Sequence, residues 1–153
     1  TQLTGILTAI GAIGAICGGL YFGAWSQRIG RRRGIVIAAL LTLPMILPWA
    51  FASSAAIIAL GAFAVQFMVQ GAWGIVPVHL NELSPDDLRA TLPGLTYQLG
   101  NLISSGTPTL LAAVAASHGG KYGLTMGVFI AGIALAVALI AWFGPEAKDK
   151  HFG

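Results

Sequence analysis

The chain has 153 residues, of which 56% are hydrophobic and 8% are charged, and its mean hydropathy is +0.82. Ordinary soluble domains carry roughly one-quarter charged residues, so this composition argues against a water-soluble fold and indicates a protein embedded in the lipid bilayer. The net charge of +3 comes from basic residues grouped at a few points of the chain, and we expect no nucleic-acid partner.

Five apolar runs are long enough to cross a membrane, because roughly 20 apolar residues in a helix span a hydrocarbon core of about 30 Å. Backbone groups cannot be satisfied by water there, so runs without strand-like alternation should be helices. The sequence therefore predicts an all-α, polytopic protein with five transmembrane helices and a hydrophilic tail. The predicted spans are 3–24, 35–51, 55–78, 92–116 and 122–143, and the tail is 144–153.

The basic residues predict the orientation of these spans. Almost all of them lie in the tail or in the connections after the first and third runs, and only Lys121 lies on the opposite side. The positive-inside rule then places Thr1 outside and Gly153 in the cytoplasm, in a multi-pass protein of the cell (plasma or inner) membrane. Since Thr1 lies close to the first run and no methionine precedes it, we expect the chain to be a piece of a longer protein.

The first run is rich in glycine, with Gly14/Gly18 and Gly19/Gly23 as small-xxx-small pairs that let helices approach closely. Cys17 is the only cysteine of the chain and lies inside this run, so no internal disulfide is possible. We expect no metal site and no cofactor.

The connection after the first run contains Gly23, Gln27, Gly30, Arg31 and Arg32. Such arginines can anchor a chain to anionic headgroups, at about 1 kcal/mol each. Their spacing, however, resembles the loop signature Gly-x-x-x-Asp-x-x-Gly-Arg-Arg of the major facilitator superfamily. Gln27 stands where that signature has an acid, so a gate formed here should be weaker and less sensitive to pH.

In the third run, Gln66, Gln70 and Trp73 recur at intervals of four and three residues, which places them on one side of a helix. Two interpretations stay open for the glutamines. They can join neighbouring helices, at about 0.6 kcal/mol each, or line a path for a solute.

The segment after the third run, Ser84-Pro85-Asp86-Asp87, predicts a helix start, because a capping hydroxyl, an early proline and two acids suit the positive end of a helix. Around it, Glu82 and Arg89 resemble the acid-x6-arginine motif of the same superfamily. An acid at one helix end and arginines at others can lock those ends together. The alternative is a solvated loop whose exposed pairs contribute about 0 to 1 kcal/mol.

The fourth run carries a polar stripe of Tyr97, Gln98, Asn101 and Ser105, spaced so that they share roughly one side of a helix. Polar residues inside a lipid-length helix have to face something other than lipid. Hydroxyl and amide donors can bind a carboxylate without a buried cation, although hydrogen bonds between helices are the alternative use.

The order of elements is similar to helices eight to twelve of a major facilitator transporter, so that residues 1–153 form a partial C-terminal transmembrane domain without the N-terminal half and the seventh helix. The segments ELSP-x-x-x-R and YQLGN resemble the sialate/lactate:proton symporter branch. This resemblance implies secondary active symport of a small organic anion by alternating access. The anion would be a monocarboxylate such as lactate or pyruvate, or sialic acid, carried with protons and contacted by Gln98 and Asn101.

None of the five predicted spans contains Asp, Glu, Lys or Arg, so a proton carrier should lie elsewhere and this piece alone should not transport. An accessory or scaffold subunit would explain the glycine-rich faces, and a transporter of an aromatic acid or a sugar is a further alternative. A membrane enzyme would need a catalytic cluster, which His79, His118 and Glu82 do not form in any known motif. We therefore expect no catalytic residue.

Overall fold

The computed structural model describes residues 2–147, which form helices joined by turns and contain no strand. The helices are α1 Gln2–Ile29, α2 Arg31–Phe51, α3 Ala55–Leu83, α4 Leu92–Ser104, α5 Thr107–Ser117 and α6 Tyr122–Phe143. α4 and α5 together make one candidate membrane span, and the described residues contain five such spans. The prediction of an all-α protein with five transmembrane helices is confirmed.

The connection between α1 and α2 is much shorter than predicted, because only Gly30 separates the two helices. Polar residues can stay helical after the chain leaves the lipid, so both helices are longer than the apolar runs that predicted them. Gly30 has a φ of 102°, a conformation that favours glycine. A Cβ at this position would also lie 2.7 Å from Oε2 of Glu146.

The helix start predicted at Ser84-Pro85-Asp86-Asp87 is wrong. Ser84 instead closes α3, since its backbone N–H and its hydroxyl both donate to the carbonyl of Leu80, at 3.0 and 2.6 Å. That hydroxyl is therefore not used to cap a following helix. Residues 86–91 form turns, and α4 begins only at Leu92.

The fourth span is also interrupted, although a single helix was predicted for 92–116. α4 ends at Ser104 and α5 begins at Thr107. Pro108 has no N–H with which to continue the helical hydrogen bonds, and Gly106 lowers the helix propensity just before it. The break follows the polar stripe directly along the chain.

α1 and α3 pack backbone to backbone. Any Cβ at Gly14 or Gly18 would collide with the backbone of Phe63 or Phe67, and one at Gly74 would lie 2.7 Å from the carbonyl oxygen of Gly19. α2 packs on α3 and on α6. The buried cluster that holds α1, α2 and α3 together consists of Phe22, Ile35, Ala38, Ala72 and Ile75.

The fourth span lies at the edge of this arrangement. No residue of α4 is buried, and in α5 only Ala115 is buried. Its contacts run to α3 on one side and to α6 on the other. The molecule therefore has a tightly packed part, formed by α1, α2, α3 and α6, and an exposed fourth span.

Candidate functional site

The ends of α1, α2 and α3 that surround Gly30, called here the basic end, meet at an ion pair between Arg31 and Glu82. Nη2 of Arg31 lies 2.8 Å from Oε1 of Glu82, and Nε lies 3.2 and 3.1 Å from the two carboxylate oxygens. The two side chains are only 12% and 10% exposed. A bidentate, charge-assisted pair of this kind is stronger than a neutral hydrogen bond and has a defined geometry.

Ser26 adds α1 to this pair. Nη1 of Arg31 donates to Oγ of Ser26 at 2.8 Å, and the Ser26 hydroxyl donates to the carbonyl of Gly23 at 2.8 Å. Ser26 is completely buried. A single guanidinium thus joins residues of three helices.

Glu146, which follows α6, lies at the beginning of α2. Its Oε1 accepts the backbone N–H of Arg31 at 3.0 Å, and its Oε2 accepts that of Arg32 at 3.2 Å. The first N–H groups of a helix have no partner within it, and a negative charge there is favourable. Nη1 of Arg32 also donates to the carbonyl of Gly144 at 3.1 Å. The end of α6 is therefore tied to α2 by one carboxylate and one guanidinium.

The sequence reasoning missed Glu146. The signal was the run of three arginines at the start of α2, where the first turn contains no acid. A helix start of that kind calls for a carboxylate from elsewhere in the chain. The predicted tail supplied Glu146 immediately after the last span, whereas Lys148 and Lys150 lie outside the described residues.

Two further residues predicted for the gate, Gln27 and Arg89, have other neighbours. Gln27 is exposed and lines a shallow cleft together with Trp25 and Arg28. Arg89 forms its ion pair with Asp86, three residues earlier in the turn segment. Asp86 is therefore an ion-pair partner in a turn and not the helix-start charge that was predicted.

The polar stripe of α4 is exposed, and one of its residues, Tyr97, packs against Trp73 of α3. Gln98 and Asn101 are exposed and contact each other, with Nδ2 of Asn101 3.3 Å from Oε1 of Gln98. That bond uses one donor and one acceptor, so each amide keeps further hydrogen-bonding capacity. The Ser105 hydroxyl instead donates to the carbonyl of Leu102 at 2.8 Å.

The two α3 glutamines predicted for the site lie beside α1 and, in the part of the chain that the structure describes, have no hydrogen bond to this stripe. Gln66 lies beside Gly11 of α1, with Cγ 3.4 Å from the place of a Cβ there, and the carbonyl of Gln70 lies close to Gly19. Among the described residues, neither glutamine has a hydrogen bond to α4. Trp73 does reach α4, since its ring centroid lies 5.8 Å from that of Tyr97.

A cavity of about 740 Å³ lies between α3 and α6, and residues of α1 and α2 also line it. Its walls are mostly aliphatic and aromatic, with Gln66 and three threonines among the polar exceptions. The hydroxyl of one of them, Thr42, donates a hydrogen bond to the carbonyl of Ala38 at 3.0 Å. Such walls suit apolar groups better than an anion.

The sequence matches the family described as "Sugar (and other) transporter" over residues 1–149. It is 42% identical over 114 residues to the carboxylic acid transporter protein homolog of Saccharomyces cerevisiae, a match that covers 72% of this chain and 18% of that protein. It is 28% identical over 154 residues to the sialic acid transporter NanX of Escherichia coli, covering 99% of this chain and 37% of that protein. The chain therefore spans well under half the length of these relatives. By this match and by its transmembrane helices, the chain belongs to the sugar (and other) transporter family of the major facilitator superfamily.

Proposed function

We propose that the chain forms helices eight to twelve of a secondary active transporter that carries a small organic anion together with protons. The anion is a monocarboxylate such as lactate or pyruvate, or sialic acid. The observation that carries this proposal is the exposed Gln98–Asn101 pair on α4, in a span without charged residues. The family match and the names of the two relatives, which refer to carboxylic acid and sialic acid, support it.

The position of the pair along α4 suits a substrate site. Asn101 lies nine residues after Leu92, the first residue of α4, which is about 14 Å along the helix. That is close to half of a hydrocarbon core of about 30 Å. Amide side chains at such a depth have to face protein or water, and transporters of this general type bind substrates near the midplane, beside interrupted helices. The break between α4 and α5 lies within a few residues of Asn101.

The basic end supports a second part of the proposal, a cytoplasmic gate. It comprises the seven residues singled out in the sequence, together with Ser26 and Glu146 from the structure. The Arg31–Glu82 pair and the hydrogen bond from Arg31 to Ser26 hold three helix ends together, and alternating access requires contacts of this kind that can break and re-form. The seven are Gly23, Gln27, Gly30, Arg31, Arg32, Glu82 and Arg89.

The orientation follows from the same residues. By the positive-inside rule, the arginines gathered at the basic end support a cytoplasmic position for it, with the N-terminal end of the chain outside and the C-terminal tail inside. We propose the cell membrane as the location of the protein.

We further propose that a longer parent protein supplies the N-terminal half and the seventh helix. The apolar cavity between α3 and α6 supports this, because its apolar walls are suited to contact with another helix. The matched segments make up only 18% and 37% of the two relatives. On this proposal the 153-residue chain alone does not transport in liposomes.

The family description favours one alternative substrate class, a sugar. Sugar hydroxyls also form hydrogen bonds with amides, so Gln98 and Asn101 could bind either class. The two substrates differ in charge, and an uptake assay separates them.

The test is uptake of radiolabelled lactate, against sialic acid and glucose, by the full-length parent carrying Gln98→Ala or Asn101→Ala. A hydrogen bond to a charged group contributes about 1.5–3 kcal/mol, so each variant should reduce carboxylate uptake roughly 10- to 100-fold. Thr96→Ala is the matched control, because Thr96 is exposed on the same helix and its hydroxyl donates to the carbonyl of Leu92. Its uptake should equal that of the parent at equal surface expression.

Two results would contradict the proposal. If both variants transport like the parent, the stripe only joins helices. If the parent takes up glucose and no carboxylate, the sugar alternative is correct.

A further inference from the structure

Trp73 connects the packed part of the molecule to the polar stripe. It lies on α3, lines the apolar cavity and packs its ring against Tyr97 of α4. We infer that Trp73 is a specificity-determining residue of the substrate site. With Tyr97 it forms an aromatic wall that contacts the carbon skeleton of the anion, while Gln98 and Asn101 bind its carboxylate. This inference rests on the proposed function and adds the substrate class, short monocarboxylates with an apolar or planar skeleton.

The two rings meet at an angle and do not stack face to face. Their centroids are 5.8 Å apart and their planes are inclined by 49°, so each ring fixes the other without covering its face. Trp73 is 48% exposed and Tyr97 is 51% exposed. About half of the surface of each aromatic residue is therefore accessible to a ligand.

The depth of Trp73 distinguishes it from a lipid anchor. Tryptophan anchors lie at the headgroup level, near helix ends. Trp142 fits that description, because it is one residue from the end of α6 and is 59% exposed. Trp73 lies ten residues before Leu83, the end of α3, which is about 15 Å along the helix. An open indole at that depth beside a polar stripe is better placed to line a solute path.

The aromatic wall and the amide pair are neighbours on α4. Tyr97 directly precedes Gln98 and lies one helical turn before Asn101. A carboxylate held by the two amides would leave the rest of the ligand next to Tyr97 and Trp73. Ring faces carry negative charge density, so they favour apolar or planar carbon groups over the carboxylate itself. A skeleton covered with hydroxyl groups, as in sialic acid, gains less from the wall.

The test uses the full-length parent carrying Trp73→Leu or Trp73→Phe, with acetate, lactate and benzoate as probes. Aromatic contacts of this kind correspond to about a 2- to 10-fold change in affinity. Trp73→Leu should therefore raise the apparent KM for benzoate by up to about 10-fold, for lactate by less and for acetate least. Trp73→Phe should give smaller shifts in the same order. Trp142→Leu is the matched control and should leave the three values unchanged.

Three outcomes would overturn the inference. In the first, Trp73→Leu shifts all three probes equally. In the second, it changes only the maximal rate, which would show that Trp73 merely packs against Tyr97. In the third, Trp73→Leu does not reach the membrane and Trp73→Phe keeps the order and values of the parent. Failure of the proposed function is a separate result, in which Gln98→Ala and Asn101→Ala transport like the parent.

Discussion

The α1–α3 pair and the fourth span are both apolar enough to cross a membrane, but their surfaces serve different contacts. Along α1 the glycines at positions 14 and 18 leave no space for a side chain, because the backbone of α3 lies against them. Along the fourth span, Gly94, Gly100 and Gly106 have nothing within 4 Å of a would-be Cβ. The same residue type thus marks direct helix contact in one region and an open surface in the other.

Charge and polarity follow the same division. The packed region ends in the buried Arg31–Glu82 pair, where every partner is supplied by the chain itself. The fourth span carries exposed amides that still have hydrogen-bonding capacity. This contrast suggests that the packed region positions the helices and the fourth span contacts something outside the described residues.

The largest expected effect comes from removing one partner of the buried pair. Glu82→Gln leaves the Arg31 guanidinium buried without its counter-charge, which should lower the free energy of unfolding by about 3–5 kcal/mol. The measurement is the thermal unfolding midpoint of the detergent-solubilised parent protein. Asp86→Asn is the control, since Asp86 belongs to an ion pair but is 77% exposed, and its effect should stay within about 1 kcal/mol.

A double variant sharpens this prediction. Replacing both partners, Arg31→Met with Glu82→Met, removes the uncompensated charge and should recover much of the stability lost in Glu82→Gln. If Glu82→Gln and Asp86→Asn were equally mild, the pair would behave as an exposed salt bridge.

The next effect tests the close approach of α1 and α3. Gly18→Ala places a Cβ against the backbone of Phe67, which cannot move aside as a side chain can. Overpacking of this type costs about 1–3 kcal/mol or more, so we expect a lower unfolding midpoint and less monodisperse protein in size-exclusion chromatography. Gly5→Ala on the same helix has nothing within 4 Å and should behave like the parent. Equal behaviour of the two variants would show that α1 and α3 do not pack backbone to backbone at Gly18.

A smaller effect is expected for Glu146, which is exposed but accepts the first N–H groups of α2. Glu146→Gln keeps an oxygen acceptor and loses the negative charge beside the positive helix end, at about 0.5–1 kcal/mol. The measurement is the unfolding midpoint of the Glu146→Gln variant, compared with those of the parent protein and of Asp86→Asn. A midpoint of Glu146→Gln at or above that of the parent would show that the charge of Glu146 does not stabilise α2.

Much of the fold was predictable because composition alone decides which segments cross a membrane. The ends of the helices were not, since the residues from Trp25 to Ile29 continue α1 after the apolar run has ended. Ser84 looked like a helix start by its residue type, yet hydroxyl groups serve either end of a helix, and here the carbonyl of Leu80 is the partner. Apolarity identifies the residues that lie in lipid and carries little information on the polar residues at either end of a span.

The candidate site shows the same limit. Helical spacing placed Gln66, Gln70 and Trp73 on one side of α3, but it could not say which helix that side contacts. The structure places the two glutamines beside glycines of α1 and Trp73 beside Tyr97. Glu146 was missed for a related reason, because its partners at the start of α2 are more than one hundred residues away in sequence.

The smallest expected effect addresses the open surface of the fourth span. Gly100→Ala adds a methyl group where nothing lies within 4 Å and replaces the residue with the greatest backbone freedom. If that surface lines a solute path, the variant should be neutral or should raise the free energy of unfolding by up to about 1 kcal/mol, because alanine is the better helix former. A marked loss of stability in the full-length parent would instead show that another helix packs against Gly100 as tightly as α3 packs against Gly18. The stripe beside it would then be a helix contact, and the distinction between the packed region and the fourth span would disappear.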